Sequence, residues 1–283
     1  MTVMDKAVII NGDDLGMRWE VNEAIVRAHK QGVLTSTTIM ANMPLAAEAI
    51  KLSKEMPQLG VGVHLNLSKG KPLSNDQIVK SLLNVNGELF LSQGKLWANS
   101  VVRWKIRKAI YTELAAQIQW VIDNGIKPTH LDSHYHIHIF PIVYSIVCSL
   151  AKRFDIKAIR WVYEPKSVVH LPWPLFTEEC SRQANSYRKW AWFNRLQNSN
   201  LLKSGALLGV SHRGKIDVNF FRAAATYSPA MVTEVMTHPA VASSEYDKET
   251  GKKRQAELNA LCDERTKKYF KDAKVKLAHY GHI

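Results

Sequence analysis

Short apolar runs alternate with longer amphipathic segments along most of the chain. Each apolar run has the length of a strand that is buried on both faces of a sheet. About eight runs predict strands, at Ala7–Asn11, Val33–Ala41, Gly60–Leu67, Pro128–Asp132, Lys157–Val162, Ala206–Val210, Val232–Met236 and Val275–Tyr280. The apolar spacing of the intervening segments predicts helices at Glu20–Gln31, Ala46–Glu55 and Ile110–Asn124.

The alternation of strand and helix predicts an α/β fold with a parallel sheet and flanking helices. About eight strands over 283 residues predict a distorted (β/α) barrel that resembles a TIM barrel. Two segments interrupt the alternation, Ser68–Ser100 and Pro172–Gly205. We interpret both as insertions near the mouth of the barrel, within a single domain that spans residues 1–283.

The composition is that of an ordinary globular protein, with 46% hydrophobic and 22% charged residues. The three cysteines, Cys148, Cys180 and Cys262, are far apart, which argues against a disulfide framework and for a reducing compartment. The N-terminal residues do not have the pattern of a secretory signal. The longest apolar stretch, Phe140–Ala151, is shorter than the ~20 residues that cross a bilayer. We therefore expect a cytoplasmic protein.

The net charge of +13 fits a nucleic acid, an anionic lipid surface or an acidic substrate as partner, and it also fits simple solubility. Much of the excess lies in Lys252–Arg254 and Arg265–Lys276, where charges recur all round a predicted helix. We interpret these segments as solvated helix faces. Because the sequence contains no motif of a nucleic-acid-binding protein, we expect no nucleic acid partner.

Three motifs with polar side chains lie at the C-terminal ends of predicted strands, where α/β barrels hold their active sites. The first motif, Asn11–Gly16, contains Asp13 and Asp14. Adjacent carboxylates point in different directions, so one can bind a metal ion while the other transfers protons. A turn that leads into a helix N-cap explains the same residues equally well. His64, near the end of the third predicted strand, decides nothing on its own.

The run His130–His138 carries the strongest local signal. Titratable residues occupy every second position, so an extended chain would place five on one face: His130, Asp132, His134, His136 and His138. A typical strand has about five or six residues, so we expect the strand to end near Asp132. His134 would then lie at its edge, with His136 and His138 in the following turn. A polar barrel face or a histidine-rich loop is the alternative. A metal site is favoured because unpartnered buried imidazoles are costly.

A fourth motif, Glu234–Pro239, ends a predicted strand with His238. Pro239 biases His238 toward an extended conformation. An imidazole held there can act as a general acid. Taken alone, a single histidine at a strand end would be structural.

In their order along the chain, these motifs resemble those of the YdjC-like carbohydrate deacetylase family, which includes chitooligosaccharide deacetylase. The residues that carry the resemblance are Asp13–Gly16, Gly62–His64, Thr129–His138 and Glu234–Pro239, with Thr35–Thr38 and Gly70–Leu73 as further matches. Each motif is modest, but the ordered set is specific and runs through most of the chain.

The resemblance implies a barrel enzyme that removes N-acetyl groups from sugars containing N-acetylglucosamine, either chitooligosaccharides or lipid-linked sugars, and releases acetate. It implies one divalent metal ion, magnesium or zinc, ligated by Asp14, His64 and His134. Asp13 would be the catalytic base and His238 the acid. Residues expected to contact the substrate or support the metal ligands are His136, Asp132 and Arg160.

Two aromatic and basic segments depart from the family pattern. The first contains Trp97, Arg103, Trp104 and Trp120, and the second is Tyr187–Phe193. Such segments could stack on sugar rings or hold a lipid-linked substrate near anionic headgroups. We favour amphipathic helices that pack on the barrel with basic outer faces. Peripheral contact with a membrane and a homodimer both stay open.

Two other classes of function also stay open at this point. A metal-dependent phosphoesterase or amidohydrolase uses similar clusters of histidine and aspartate on a barrel, although amidohydrolases usually carry their HxH motif on the first strand. A non-catalytic protein that binds sugars or lipid surfaces would use the aromatic segments, but it leaves Asp13, Asp14 and His238 without a purpose.

Overall fold

A computed structural model describes residues 6–90, 104–166, 178–197, 199–227 and 230–283, with the backbone alone for residues 178–181. Seven strands form a parallel sheet in these ranges. They are β1 Ala7–Leu15, β2 Ser36–Ile39, β3 Gly60–Leu65, β4 Leu131–Ser133, β5 Ala206–Leu208, β6 Val232–Thr237 and β7 Lys276–Ala278. The strand order is β4-β3-β2-β1-β6-β5, and β7 pairs with the first residues of β1.

Helices surround the sheet and connect its strands. The α-helices are α1 Trp19–Gln31, α2 Ala46–Lys54, α3 Trp104–Asp123, α4 Pro141–Arg153, α5 Glu178–Arg195, α6 Val218–Thr226, α7 Lys248–Cys262 and α8 Glu264–Asp272. Short 3₁₀ helices are found at Gln77–Leu82, His134–Ile139 and Tyr280–His282. The three helices predicted from the sequence correspond to α1, α2 and α3.

The strands are apolar because the sheet is covered on both faces. Every residue of β1, β2 and β3 is buried, as a parallel sheet between helices requires. Helix α1 contributes the apolar positions that predicted it, including Val21 and Ile25. Full burial of either side chain stabilises the fold by about 1.5–3 kcal/mol.

The sheet curves into a distorted barrel whose ladder of hydrogen bonds is interrupted between β4 and β5. The predicted strand Lys157–Val162 lies in this gap, where the described residues form the single bridges Leu131↔Ile159 and Ala158↔Leu202. β4 is three residues long and Leu202 belongs to the loop before β5, so neither neighbour extends far enough for a ladder. The predicted fold class is confirmed, but the fifth predicted strand is wrong.

The ends of β1 and β4 determine where the polar motifs lie. β1 continues past Asn11 to Leu15, so Asp13 and Asp14 lie within the strand and not after it. Asp14 has a φ of +71°, in the left-handed region that aspartate tolerates better than most residues. β4 ends at Ser133, close to the expected position, and Pro141 begins α4.

Both predicted insertions contain regular structure. Ser68–Ser100 includes a 3₁₀ helix, and its residues 91–100 lie outside the described residues, as do Trp97 and Arg103. Pro172–Gly205 includes α5. The single-domain organisation stays a prediction. Within the described ranges, no helix is both long and apolar enough to cross a membrane.

Candidate active site

A cavity of about 880 Å³ lies at the carboxyl ends of the strands. Parallel strands end at the same edge of a sheet, so residues far apart in the chain meet there. Six of the residues singled out in the sequence line this cavity: Asp13, Asp14, His64, His134, His136 and His238. Asp132 and Arg160 are fully buried next to them.

Asp14, His64 and His134 bring three metal-ligating groups together. The Oδ1 atom of Asp14 lies 3.0 Å from Nδ1 of His134 and 3.5 Å from Nε2 of His64. Donors at about 2.1 Å from one ion are roughly 3.0 Å apart in an octahedral site and roughly 3.4 Å apart in a tetrahedral one. The spacing and chemistry of these three buried side chains therefore fit a divalent ion.

A second set of side chains, Asp13, His64 and Asp132, is also close enough to hold an ion. The guanidinium of Arg160, however, already pairs with both of these carboxylates. An ion in this position would therefore compete with a buried cation. The set that contains Asp14 is the better metal site.

Asp132 pairs with His64, one of the three groups that could hold an ion. Its Oδ1 lies 2.8 Å from Nδ1 of His64, and the hydroxyl of Thr38 donates to its Oδ2 at 3.1 Å. A proton held on Nδ1 leaves Nε2, which faces Asp14, as the nitrogen that a metal ion could bind. Burial lowers the pKa of His64, but the charge and hydrogen bond of Asp132, the hydrogen bond of Asp14 and the charge of Asp13 outweigh burial and raise the pKa to about 10. Carboxylates that attract a proton here would attract a metal ion in the same way.

Arg160 is the buried cation of the site. Its Nη1 and Nη2 both donate to Asp13 at 2.7 Å, and its guanidinium also pairs with Asp132 and Glu234 at 2.8 Å. Three carboxylates surround this fully buried side chain. Of the two roles expected from the sequence, these contacts favour support of the neighbouring carboxylates over contact with a substrate. Burial raises the pKa of Asp13, but the charge and hydrogen bonds of Arg160 outweigh burial and hold that pKa below its ordinary value.

His238 lies beside Asp13 at the end of β6. Its Nε2 is 3.9 Å from Oδ2 of Asp13. Burial lowers the pKa of His238 to about 4, against the opposing charges of Asp13 and Asp14, so the ring is neutral near pH 7. Its Nδ1 is buried without a hydrogen-bond partner in the part of the chain that the structure describes.

The other histidines of the run after Thr129 have different surroundings. His130 stacks on Tyr280 with ring centroids 4.2 Å apart, away from the cavity. His138 is fixed through Nδ1, 2.5 Å from the hydroxyl of Ser133. His136 lines the cavity, as His134 does. The structure thus brings one histidine of the run into the metal-ligand set, and a second one reaches the cavity wall.

Two functional candidates on α7 were missed in the sequence. Arg254 was assigned to a solvated helix face, yet its Nη2 donates to Oδ2 of Asp14 at 2.7 Å. Glu257 is buried, and its carboxylate accepts hydrogen bonds from the backbone N–H groups of His238 at 2.6 Å and Gly214 at 3.3 Å. Burial raises the pKa of Glu257 to about 7. The three-residue spacing places both on one helix face, but charged neighbours concealed that signal.

The aromatic segments are divided between core and surface. Trp120 is partly buried against the core, and the buried Tyr187 lines the cavity. Trp104 and Trp192 are each 66% exposed. This division is typical of amphipathic helices that pack on a barrel.

Comparisons with known proteins agree with the fold and with the motifs. The chain matches the model of the YdjC-like protein family over residues 7–272. It is 31% identical over 282 residues to the carbohydrate deacetylase of Brevibacillus brevis, a match that covers 98% of this chain and 99% of that protein. It is 42% identical over 151 residues to the carbohydrate deacetylase of Geobacillus stearothermophilus, which covers 53% of this chain and 58% of that protein.

Among solved structures, the fold is similar to that of a cellobiose-phosphate cleavage protein from Enterococcus faecalis V583. The TM-score is 0.74 at 23% identity, and the match covers 98% of both chains. This likeness supports the fold alone. Membership of a family is shown by the family model and by the Brevibacillus brevis relative, which is matched over nearly its full length. The chain therefore belongs to the YdjC-like protein family.

Proposed function

We propose that this protein is a metal-dependent carbohydrate deacetylase, which hydrolyses the N-acetyl amide of an amino sugar to acetate and a free amine. The observation that carries the proposal is the convergence of Asp14, His64 and His134 beside Asp13 in one cavity. The relatives in Brevibacillus brevis and Geobacillus stearothermophilus are named carbohydrate deacetylases, which supports the substrate class.

Asp14, His64 and His134 would hold one divalent ion. When bound, such an ion polarises an amide carbonyl and acidifies a water molecule, both of which amide hydrolysis needs. Two imidazoles and one carboxylate suit zinc and other borderline metals, and a carboxylate also suits magnesium. The choice between zinc and magnesium therefore stays open.

Asp13 would accept the proton of the attacking water. Arg160 binds both of its oxygens and keeps the carboxylate ionised and fixed in orientation. A carboxylate with a lowered pKa is a weak base, so Asp13 would act on water that is already acidified. Arg160 would serve this step through Asp13, without touching the substrate.

His238 would donate a proton to the departing amine. A neutral imidazole must first receive a proton, and the oxygen of Asp13 at 3.9 Å is a near source. The proton that Asp13 takes from water would thus reach the amine through His238. His136, on the wall of the same cavity, would contact the sugar.

The volume of the cavity is typical of a small-molecule site. Its walls carry several basic side chains, including Lys69, Arg213 and Lys253, besides the catalytic groups. Free chitooligosaccharides, nucleotide sugars and lipid-linked glucosamine all stay open as the acetylated substrate. Peripheral contact with a membrane, a homodimer and a cytoplasmic location stay predictions.

Two substitutions separate the proposed base from the proposed ligands. Asp13→Asn should keep the metal and lose turnover, because an amide of the same shape does not accept the proton. His134→Ala should lose both, because it removes a ligand. Acetate release from a panel of N-acetylated sugars, with metal content measured on the same samples, distinguishes the two results.

The exposed His282 provides a control, and His282→Ala should behave as the wild type. Full activity of Asp13→Asn would rule out Asp13 as the base. Release of phosphate from phosphorylated sugars, with no acetate from acetylated ones, would show a phosphoesterase instead.

A further inference from the structure

Arg254 differs from the basic residues next to it on α7. Lys252 and Lys253 are exposed, whereas the side chain of Arg254 is 16% exposed and lies against Asp14. Its Nη2 donates to Oδ2 of Asp14 at 2.7 Å. Its Nη1 is buried and has no hydrogen-bond partner among the residues that the structure describes. Asp14 is therefore the side chain to which this largely buried guanidinium is hydrogen-bonded.

The two oxygens of Asp14 consequently have separate partners. Oδ1 lies near the ring nitrogens of His64 and His134, and Oδ2 accepts from Arg254. Rotation of the carboxylate about its Cβ–Cγ bond would break both sets of contacts. Asp14 also has the left-handed backbone conformation, which surrounding contacts must maintain.

Helix α7 holds Arg254 in place. The side chain of Asp247, the residue before the helix, accepts a hydrogen bond from the backbone N–H of Thr250 at 2.9 Å, which caps the helix. The ring centroid of Tyr246 lies 5.8 Å from the guanidinium carbon of Arg254. The backbone carbonyl of Arg254 accepts from the N–H of Ala240 at 3.3 Å, which ties the helix to the segment after His238.

We propose that Arg254 is a positioning residue of the metal site, which fixes Asp14 so that Oδ1 alone faces the ion. The proposal rests on the assignment of Asp14, His64 and His134 as metal ligands under the proposed function. A guanidinium also repels a cation, and this repulsion opposes metal binding. Removal of a side chain that holds a metal ligand nevertheless weakens metal binding, typically by about 10- to 100-fold, because the ligand loses its fixed orientation.

Calorimetric titration of Zn²⁺ into the full chain, after chelation of bound metal, tests the proposal directly. Arg254→Met keeps the length of the side chain but removes the hydrogen bond to Asp14. It should weaken Zn²⁺ binding by about tenfold. Lys252→Met removes a charge from the exposed side of the same helix and should leave the affinity unchanged. Circular dichroism and thermal unfolding show whether each variant is folded.

Zn²⁺ binding by Arg254→Met that is equal to or tighter than that of the wild type would overturn the proposal. If Arg254→Met does not fold, Arg254→Lys decides. It keeps the charge but loses the planar fork, so weaker Zn²⁺ binding supports positioning and unchanged binding contradicts it. A wild-type chain that binds no divalent ion would refute the proposed metal site itself, which is a different result from equal binding by the wild type and Arg254→Met.

Discussion

Asp13 and Asp14 are neighbours in the chain, but their different partners give them different chemistry. Both oxygens of Asp13 accept from Arg160. Asp14 has one oxygen beside two ring nitrogens and the other beside Arg254. A carboxylate whose oxygens are both occupied by a guanidinium is poorly suited to bind an ion. The partners therefore favour Asp14 as the ligand and Asp13 as the group that handles protons.

A single substitution of Arg160 tests the buried network of ion pairs that it forms with three carboxylates. Arg160→Met should lower the free energy of unfolding by about 3–5 kcal/mol, because it leaves Asp13, Asp132 and Glu234 buried without their cation. Urea denaturation of the purified variant measures this change. Arg265→Met removes an arginine whose side chain is 68% exposed, and its free energy of unfolding should stay close to that of the wild type. Equal effects of the two substitutions would contradict a structural role for the buried network.

At this scale the sequence identified residue types better than contacts. The period of two in the histidine run indicated a shaped polar element, and the resemblance to a family selected His134 from it. Neither source could show that Arg160 is buried among three carboxylates, since its partners are contributed by three separate strands. Arg254 was missed for a similar reason, because its hydrogen-bond partner Asp14 lies 240 positions earlier in the chain.

Helix α7 contacts both halves of the site, namely the proposed metal-ligand set and the proposed acid His238. Arg254 donates to the proposed metal ligand Asp14, and one turn later Glu257 accepts a hydrogen bond from the backbone N–H of His238. A single helix thus contacts both a proposed ligand and the proposed acid. The sequence predicted a helix with charges all round it, but it did not predict that one face of this helix is buried.

Glu257→Gln separates these two contributions of α7. The carboxylate accepts from the N–H groups of His238 and Gly214, whereas an amide offers one oxygen, so one N–H group loses its acceptor. Weaker contact with Glu257 should displace His238, and this displacement should lower kcat by about tenfold. The affinity for Zn²⁺ should stay unchanged, because Glu257 touches none of the three ligands. Steady-state acetate release and calorimetry measure the two quantities.

Glu249→Gln on the same helix is the matched control, since the Glu249 side chain is 79% exposed. It should change neither kcat nor metal affinity. An unchanged kcat in Glu257→Gln would show that the backbone contact does not position His238. A loss of metal affinity in that variant would show that α7 acts on both halves of the site together.

Other elements show why strand prediction succeeded in some segments and failed in others. Ala7–Asn11 was too short because Asp13 and Asp14 are polar, yet the strand continues through them to Leu15. Lys157–Val162 has the apolar pattern of a strand, but its neighbours are too short to form a ladder with it. Strand formation depends on the partner strand as well as on the segment itself, and the partner is not visible in a local pattern.

At the scale of the whole molecule, the parallel sheet explains how distant residues form one site. Strands β1, β3, β4 and β6 all end at the same edge of the sheet. Motifs that are far apart in the chain are therefore close together in the structure. The alternation of strand and helix was sufficient to predict this edge and the barrel. It was insufficient to predict the walls of the cavity, because they include residues from α5 and α7.

Under the proposed function, this protein is a deacetylase that depends on one metal ion at Asp14, His64 and His134. Acetate release from N-acetylated chitooligosaccharides should disappear after chelation and return when one equivalent of Zn²⁺ or Mg²⁺ is added. Each acetate should be accompanied by one free amine. Acetate release that continues at the same rate in the chelated protein, with no metal bound, would contradict the claim.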